Sequence, residues 1–187
     1  MNKIDLKYSL QHEYKLSKIL QSMSLNMINK KENDFDNIFK EVSNLLLDFT
    51  IRTQEKYKTF DVEKDKEKHI EIIKEQLIEI KRYAKAQSKW KEKNRNNKEL
   101  KKKALRHSEL KARNVKGNVY ANFLKNIVSK DTDGFIWNTV GDDRVRPEHE
   151  DRDQEFFTWK DADLLPGEDY MCRCWATIVI IGKEIIN

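Results

Sequence analysis

The residue types that chemistry most often recruits gather between Gly134 and Cys174 of this 187-residue chain. That stretch holds the cluster Asp142-Asp143-Arg144-Val145-Arg146, a histidine, His149, and both cysteines, Cys172 and Cys174. Imidazole and thiol groups serve as bases, nucleophiles or ligands of soft metals, whereas guanidinium and carboxylate groups grip one another or a phosphate. No apolar run approaches the roughly 18 residues that a bilayer span needs, and the N-terminal residues lack the apolar segment of a secretory signal. The expected setting is the cytoplasm, with no membrane partner. There, two cysteines read as thiols or metal ligands rather than as a disulfide.

Arg144 and Arg146 alternate with Val145, so in extended geometry they share a face while Val145 points inward. Their forked guanidinium groups can grip Asp142, Asp143 or Glu148, or bind phosphate. The acidity of the surrounding region favours internal ion pairs.

The elements that must position these groups differ sharply along the chain. Both prolines and four of the five glycines lie at or after position 134, whereas the first 130 residues contain only Gly117. Long helices are expected there and a compact, turn-rich unit after them. Leu16, Leu20, Met23 and Met27 follow the helical period, as do Ile38, Val42, Leu45 and Phe49, with Asn33-Asp34 between them to stop one helix and cap the next. A third stripe runs through Ile70, Ile73, Leu77, Ile80 and Ala84. Leu100, Ala104, Ala112, Val115, Val119, Phe123 and Ile127 predict a helix that packs on the C-terminal unit. Residues 135–140, 156–159 and 175–181 read as strands, rich in β-branched and aromatic side chains. Asp143 is placed to cap a short helical turn in which Pro147 takes the first position and His149 follows. The fold class is α+β, a long, mostly helical N-terminal region followed by a small module with a short β-sheet. Residues 1–88 form the helical region, 89–130 a basic connector and packing helix, and 131–187 the module.

Charge follows the same division. The net charge of +5 combines 31 Lys+Arg against 18 Asp+Glu in residues 1–130 with 6 against 14 in residues 131–187. Lys81 to Lys116 alone holds 15 basic and 3 acidic residues. Lys81, Arg82, Lys85, Lys89, Lys91, Lys93, Arg95, Lys101, Lys102, Lys103 and Arg106 are candidates for contact with nucleic acid, whose affinity would then fall steeply with salt. The competing reading is a solvated lysine-rich helix, since Trp90 is the one large ring in the run and regular aromatic interleaving is missing.

Trp137-Asn138-Thr139, Gly141 to His149, Phe157-Thr158-Trp159, Pro166-Gly167-Glu168 and Cys172-Arg173-Cys174, in this order and spacing, resemble the C-terminal signature of the F-like minor head proteins of phage Mu and its relatives, the head morphogenesis proteins. Glu109 to Asn114 resembles the helix that precedes that signature. The resemblance implies a low-copy capsid component inside the virion, assembled in the host cytoplasm, with the portal protein and other capsid or scaffolding proteins as partners. Its role would be head assembly or DNA delivery. The resemblance also implies that His149, Cys172 and Cys174 are metal ligands. Thiolates and imidazole suit a structural zinc, which takes four ligands, and Asp142, Asp151 or His107 is open as the fourth. One departure is Asp153-Gln154, where relatives tend to carry Asp-Gly.

Two other functions compete. One is a nucleic-acid-binding protein acting through the basic run. The other is a metal-dependent nuclease or hydrolase, since carboxylates beside a histidine and a metal permit metal-assisted hydrolysis. Soft thiolate ligands favour a structural ion over the oxygen-ligated Mg²⁺ of phosphoryl transfer, and no serine or cysteine has an evident base, so no catalytic residue is assigned.

Overall fold

A computed structural model describes residues 2–7, 10–29, 31–56, 62–93 and 99–181. Four long helices, α1 (Leu10–Ile28), α2 (Phe35–Gln54), α3 (Val62–Lys93) and α4 (Leu100–Asn126), form the N-terminal two thirds. Short links make successive helices antiparallel neighbours. Side-chain pairings make α2 and α3 antiparallel, Gln54 meeting Asp65 while Phe39 lies under Lys81, and α1 and α4 antiparallel too, Ser24 meeting Ser108 while Glu13 meets Lys116. Asp34 caps α2, its side chain accepting the Asn37 N–H at 3.0 Å.

The expected stripes of α1, α2 and α4 are the buried or half-buried faces of those helices. The stripe of α3 faces inward at Ile73, Leu77, Ile80 and Ala84 but not at its first position. Ile70 is exposed, and the inward face is His69, Ile72, Ile73, Gln76, Ile80, Ala84, Gln87 and Lys91. Four of these eight side chains are polar, which a search for apolar period passes over. His69 Nε2 donates to the Gln54 side-chain oxygen at 2.5 Å, and Gln54 donates to Asp65 at 3.0 Å, so a hydrogen-bonded chain joins α2 and α3 beside their apolar contacts.

After a short 3₁₀ turn (Val128–Lys130) the chain builds β2 (Gly134–Asn138), the four-residue helix α5 (Pro147–Glu150), β3 (Phe156–Thr158) and β4 (Trp175–Ile180). The sheet is antiparallel with order β1-β4-β2-β3. Its fourth strand, β1 (Asn2–Asp5), comes from the opposite end of the chain and pairs Ile4 with Ile178. Four residues with one aliphatic side chain give no alternation to detect. α4 is tied to the sheet by the fully buried Tyr120, whose hydroxyl accepts the Ala176 N–H at 3.0 Å and donates to the Leu6 carbonyl at 3.2 Å. One apolar core runs from the bundle (Leu20, Phe49, Val115) through Tyr120 into the sheet (Phe135, Trp137, Ile178).

Gly117, the lone glycine of the helical region, sits where α4 meets the turn at Gly167. A Cβ on Gly117 would lie 2.7 Å from the Gly167 carbonyl oxygen. The two backbones touch, so a residue that weakens helix propensity is retained in mid-helix.

Candidate metal centre and basic tip

Each residue of the centre is aimed by a separate local device. Pro147 opens α5 as expected, but the N-cap is Arg146 rather than Asp143, and no side chain caps the turn. His149 lies in the third position of that turn and is buried against the edge of the Trp137 ring, with centroids 5.3 Å apart. Met171, in the left-handed region at φ 60°, turns the chain immediately before Cys172. Cys172 and Cys174 then point the same way, as alternation in an extended segment requires. Both are buried free thiols.

The ligand atoms of His149, Cys172 and Cys174 lie within 4.8 Å of one another. His149 Nδ1 is 3.6 Å from Cys172 Sγ and 3.4 Å from Cys174 Sγ. Its other nitrogen, Nε2, faces the Asp169 carboxylate at 3.3 Å. A carboxylate beside Nε2 favours the proton on that nitrogen, which leaves the Nδ1 lone pair facing the sulfurs, the arrangement that orients imidazole ligands of metals. Cys172 Sγ accepts two backbone N–H bonds, from Gly167 and Cys174, each 3.4 Å. A hydrogen bond from the Cys174 thiol lowers the Cys172 pKa, and the same bond raises that of Cys174, so of the two sulfurs Cys172 is the one that favours the thiolate. Two soft sulfurs, one of them in a thiolate-favouring setting, and an oriented imidazole fit a zinc-type ion.

In sequence this helix, turn and strand arrangement lies inside a recognised unit, since residues 97–177 match the family model described as Phage Mu protein F like protein. Over that segment, somewhat less than half of the chain, the sequence is similar to phage Mu F-like proteins. No curated protein and no solved structure matches the chain significantly.

The F-like segment contains two residues of the centre that sequence reasoning passed over. Asp169 holds His149 and also pairs with Arg146 at 3.0 Å, while Arg146 donates to the Tyr170 carbonyl at 2.5 Å. Arg173 points away from the thiols and clamps Asp142 through both terminal nitrogens, Nη1 at 2.7 Å. Alternation was the available signal, because two inward cysteines place the residue between them on the opposite face. Arg173 and then Arg144 hold the Asp142 carboxyl well below the usual carboxylate range.

The arginine cluster of the F-like segment departs from the extended geometry expected of it. Asp142 to Val145 forms a tight turn closed by the Val145 N–H on the Asp142 carbonyl at 3.0 Å, so Arg144 and Arg146 do separate jobs. Arg144 returns to Asp142 at 2.9 Å, and Arg146 reaches across to Asp169. Among the described residues Asp143 has no ion pair.

None of the three residues left open as a fourth ligand belongs to the compact group of ligand atoms. Asp142 is held by Arg173, Asp151 closes α5, and His107 lies on α4 against Trp90, with ring centroids 5.3 Å apart. The three donors border a recess of about 20 Å³, measured as space open to the centre of a water-sized sphere. That is room for about one water molecule.

Far from this centre, the end of α3 and the start of α4 form a basic tip. Lys81, Arg82, Lys85, Lys89, Lys93, Lys101, Lys102, Lys103 and Arg106 are exposed there, and Arg82 pairs with Glu79 at 2.5 Å. Arg95 lies outside the described residues. Lys91 is a correction: it is 5% exposed, and its ammonium donates inward to the Ser24 carbonyl at 2.8 Å. Burial pulls its pKa down to about 8. α4 is 27 residues long, which separates its first turn from its last by about 40 Å.

Proposed function

We propose that this chain is a minor head protein of a phage or prophage particle, present in few copies and acting in head morphogenesis. The observation that carries the reading is the family match across α4 and the sheet module, the unit that contains the candidate centre. In this reading residues 131–187 with α4 act as a docking head for the portal protein or neighbouring capsid proteins. A structural zinc held by His149, Cys172 and Cys174 stiffens that head. When bound, the ion supplies a fixed crosslink between α5 and the Cys172–Cys174 segment. The protein's own residues prepare it, Asp169 by orienting the imidazole and the Gly167 and Cys174 amides by stabilising the Cys172 sulfur. The far end of the bundle, with the basic tip at the end of α3 and the start of α4, projects from the head into the capsid interior. No helix among the described residues is long and apolar enough to cross a membrane. Quantitative mass analysis of purified particles tests the reading. Recovery at a few copies per head is expected, and absence from both particles and portal pull-downs would overturn it.

A second role, contact with packaged DNA, is favoured by one observation: nine exposed basic side chains gather at the tip, away from the acidic module. A gel-shift series should show retention at low salt that disappears as salt rises. Retention insensitive to salt would rule out phosphate contacts.

A further inference from the structure

We infer, resting on the structural zinc proposed above, that Arg146 is a positioning residue of the centre: a latch that holds the Asp169 carboxylate against His149 and so sets how tightly the three donors take the ion. Arg146 stands between the two segments that supply those donors. Its carbonyl, at the N-cap of α5, accepts the His149 N–H at 2.9 Å. Its guanidinium crosses to the turn that leads into Cys172, pairing with Asp169 through Nη1 at 3.0 Å and donating from Nη2 to the Tyr170 carbonyl at 2.5 Å. One residue therefore joins the histidine segment to the cysteine segment.

Arg146 and His149 share one carboxylate oxygen. Asp169 Oδ2 receives Arg146 Nη1 and also faces His149 Nε2 at 3.3 Å, while Oδ1 accepts the Tyr170 N–H at 2.8 Å. With both oxygens engaged, the carboxylate keeps one orientation toward the ring. The Asp169 carbonyl accepts the Cys172 N–H at 3.0 Å, so the turn that carries this carboxylate is also the turn that delivers the first thiol. Partners that fix the tautomer and direction of a ligating imidazole change metal affinity by about 10–100-fold, and a group that holds such a partner in place shares in that effect. Fold stability gives Arg146 no comparable reason to be there. The Arg146 and Asp169 side chains are 40% and 39% exposed, and an ion pair so open to water adds little to folding. Charge alone works the other way, since a cation beside a bound dication repels it.

Zinc affinity of the full chain, read by competition with a chromophoric chelator, separates these roles. Arg146→Gln removes the guanidinium but leaves the N-cap carbonyl, and it should weaken zinc binding roughly tenfold while the metal-free protein melts at an unchanged temperature. Arg146→Lys, which can still pair with Asp169, should recover part of the loss. Lys160→Gln, at an exposed position, removes the same charge from the same module and should not weaken binding. A second readout needs no metal. At about pH 8, where an ordinary imidazole is neutral, NMR of the His149 ring nitrogens should place the proton on Nε2, and Arg146→Gln should move it toward Nδ1. The latch is overturned if Arg146→Gln binds zinc as tightly as the native chain or more tightly, as relief of repulsion alone would give, or if that variant leaves the His149 tautomer unchanged. A native chain that takes up no zinc yet shows the tautomer shift would keep the latch and remove the structural zinc.

Discussion

The most consequential single side chain in the bundle is Lys116, which is 1% exposed and yet charged. Burial pulls its pKa down to about 8, and Glu13, 2.7 Å away, keeps it from falling further, so the ammonium survives at neutral pH. Burial pushes the Glu13 carboxyl up, but Lys116 and Arg113 outweigh it and hold it below its ordinary value. Removing the carboxylate would deprive a buried cation of the Glu13 counter-charge. Glu13→Gln should therefore destabilise the protein by about 2 kcal/mol in denaturant unfolding. A loss below about 0.5 kcal/mol would show that the other contacts of Lys116 suffice to hold its charge. None of this was legible in the sequence. Glu13 and Lys116 are 103 positions apart, and a lysine in a run of lysines reads as surface. The same limit made Lys91 look like a phosphate contact. At the centre the chemistry was legible, since His149, Cys172 and Cys174 stand together in space, but their supports were not. Asp169 resembles any loop carboxylate until His149 is seen beside it.

The apolar period also marked α3, where Ile73, Leu77, Ile80 and Ala84 face inward as expected, but it passed over the polar inward residues His69, Gln76 and Gln87. His69 also makes the α2–α3 contact sensitive to acid. Burial lowers its pKa, with Asp65 opposing the shift more weakly, so the folded state prefers the neutral ring. The unfolded chain, with a histidine pKa of about 6.5, then binds the proton first as pH falls. Stability from this residue is complete above about 6.5 and declines as pH drops below it. Thermal melts from pH 7.5 to 5 should show the decline, and His69→Leu should flatten it; an unchanged slope in that variant would assign the effect to another group. The helix–sheet joint is a second element-scale feature. Gly117→Ala would raise intrinsic helix propensity by about 1 kcal/mol, yet it places a methyl group 2.7 Å from the Gly167 carbonyl oxygen. Overpacking should win, for a net loss of about 1–3 kcal/mol in unfolding free energy. A stabilised variant would mean that the turn at Gly167 moves away freely. The glycine was visible in the sequence, but its reason was fifty positions downstream. Gln154 takes φ 65°, so a tight turn forms there on a residue less suited to it than glycine.

At the scale of the whole molecule, charge and chemistry sit at opposite ends of a bundle whose last helix runs from the basic tip to the acidic module. The separation was legible as a change in composition near position 130 and the α+β class as a change in helical and strand pattern. The closing of the fold was not, because β1 brings residues 2–5 back to β4 at the far end of the chain. A module with so short a sheet gains most from a crosslink, and a structural zinc can supply on the order of 10 kcal/mol of folding free energy. In the proposed function, that crosslink stiffens the acidic module for docking. Metal content, measured on the purified chain by elemental mass spectrometry before and after chelation, is the most direct test of that account. The prediction is roughly one zinc per chain, lost in His149→Ala and Cys174→Ala, with a marked fall in melting temperature on chelation. A metal-free protein that melts at the same temperature with and without chelator would contradict it.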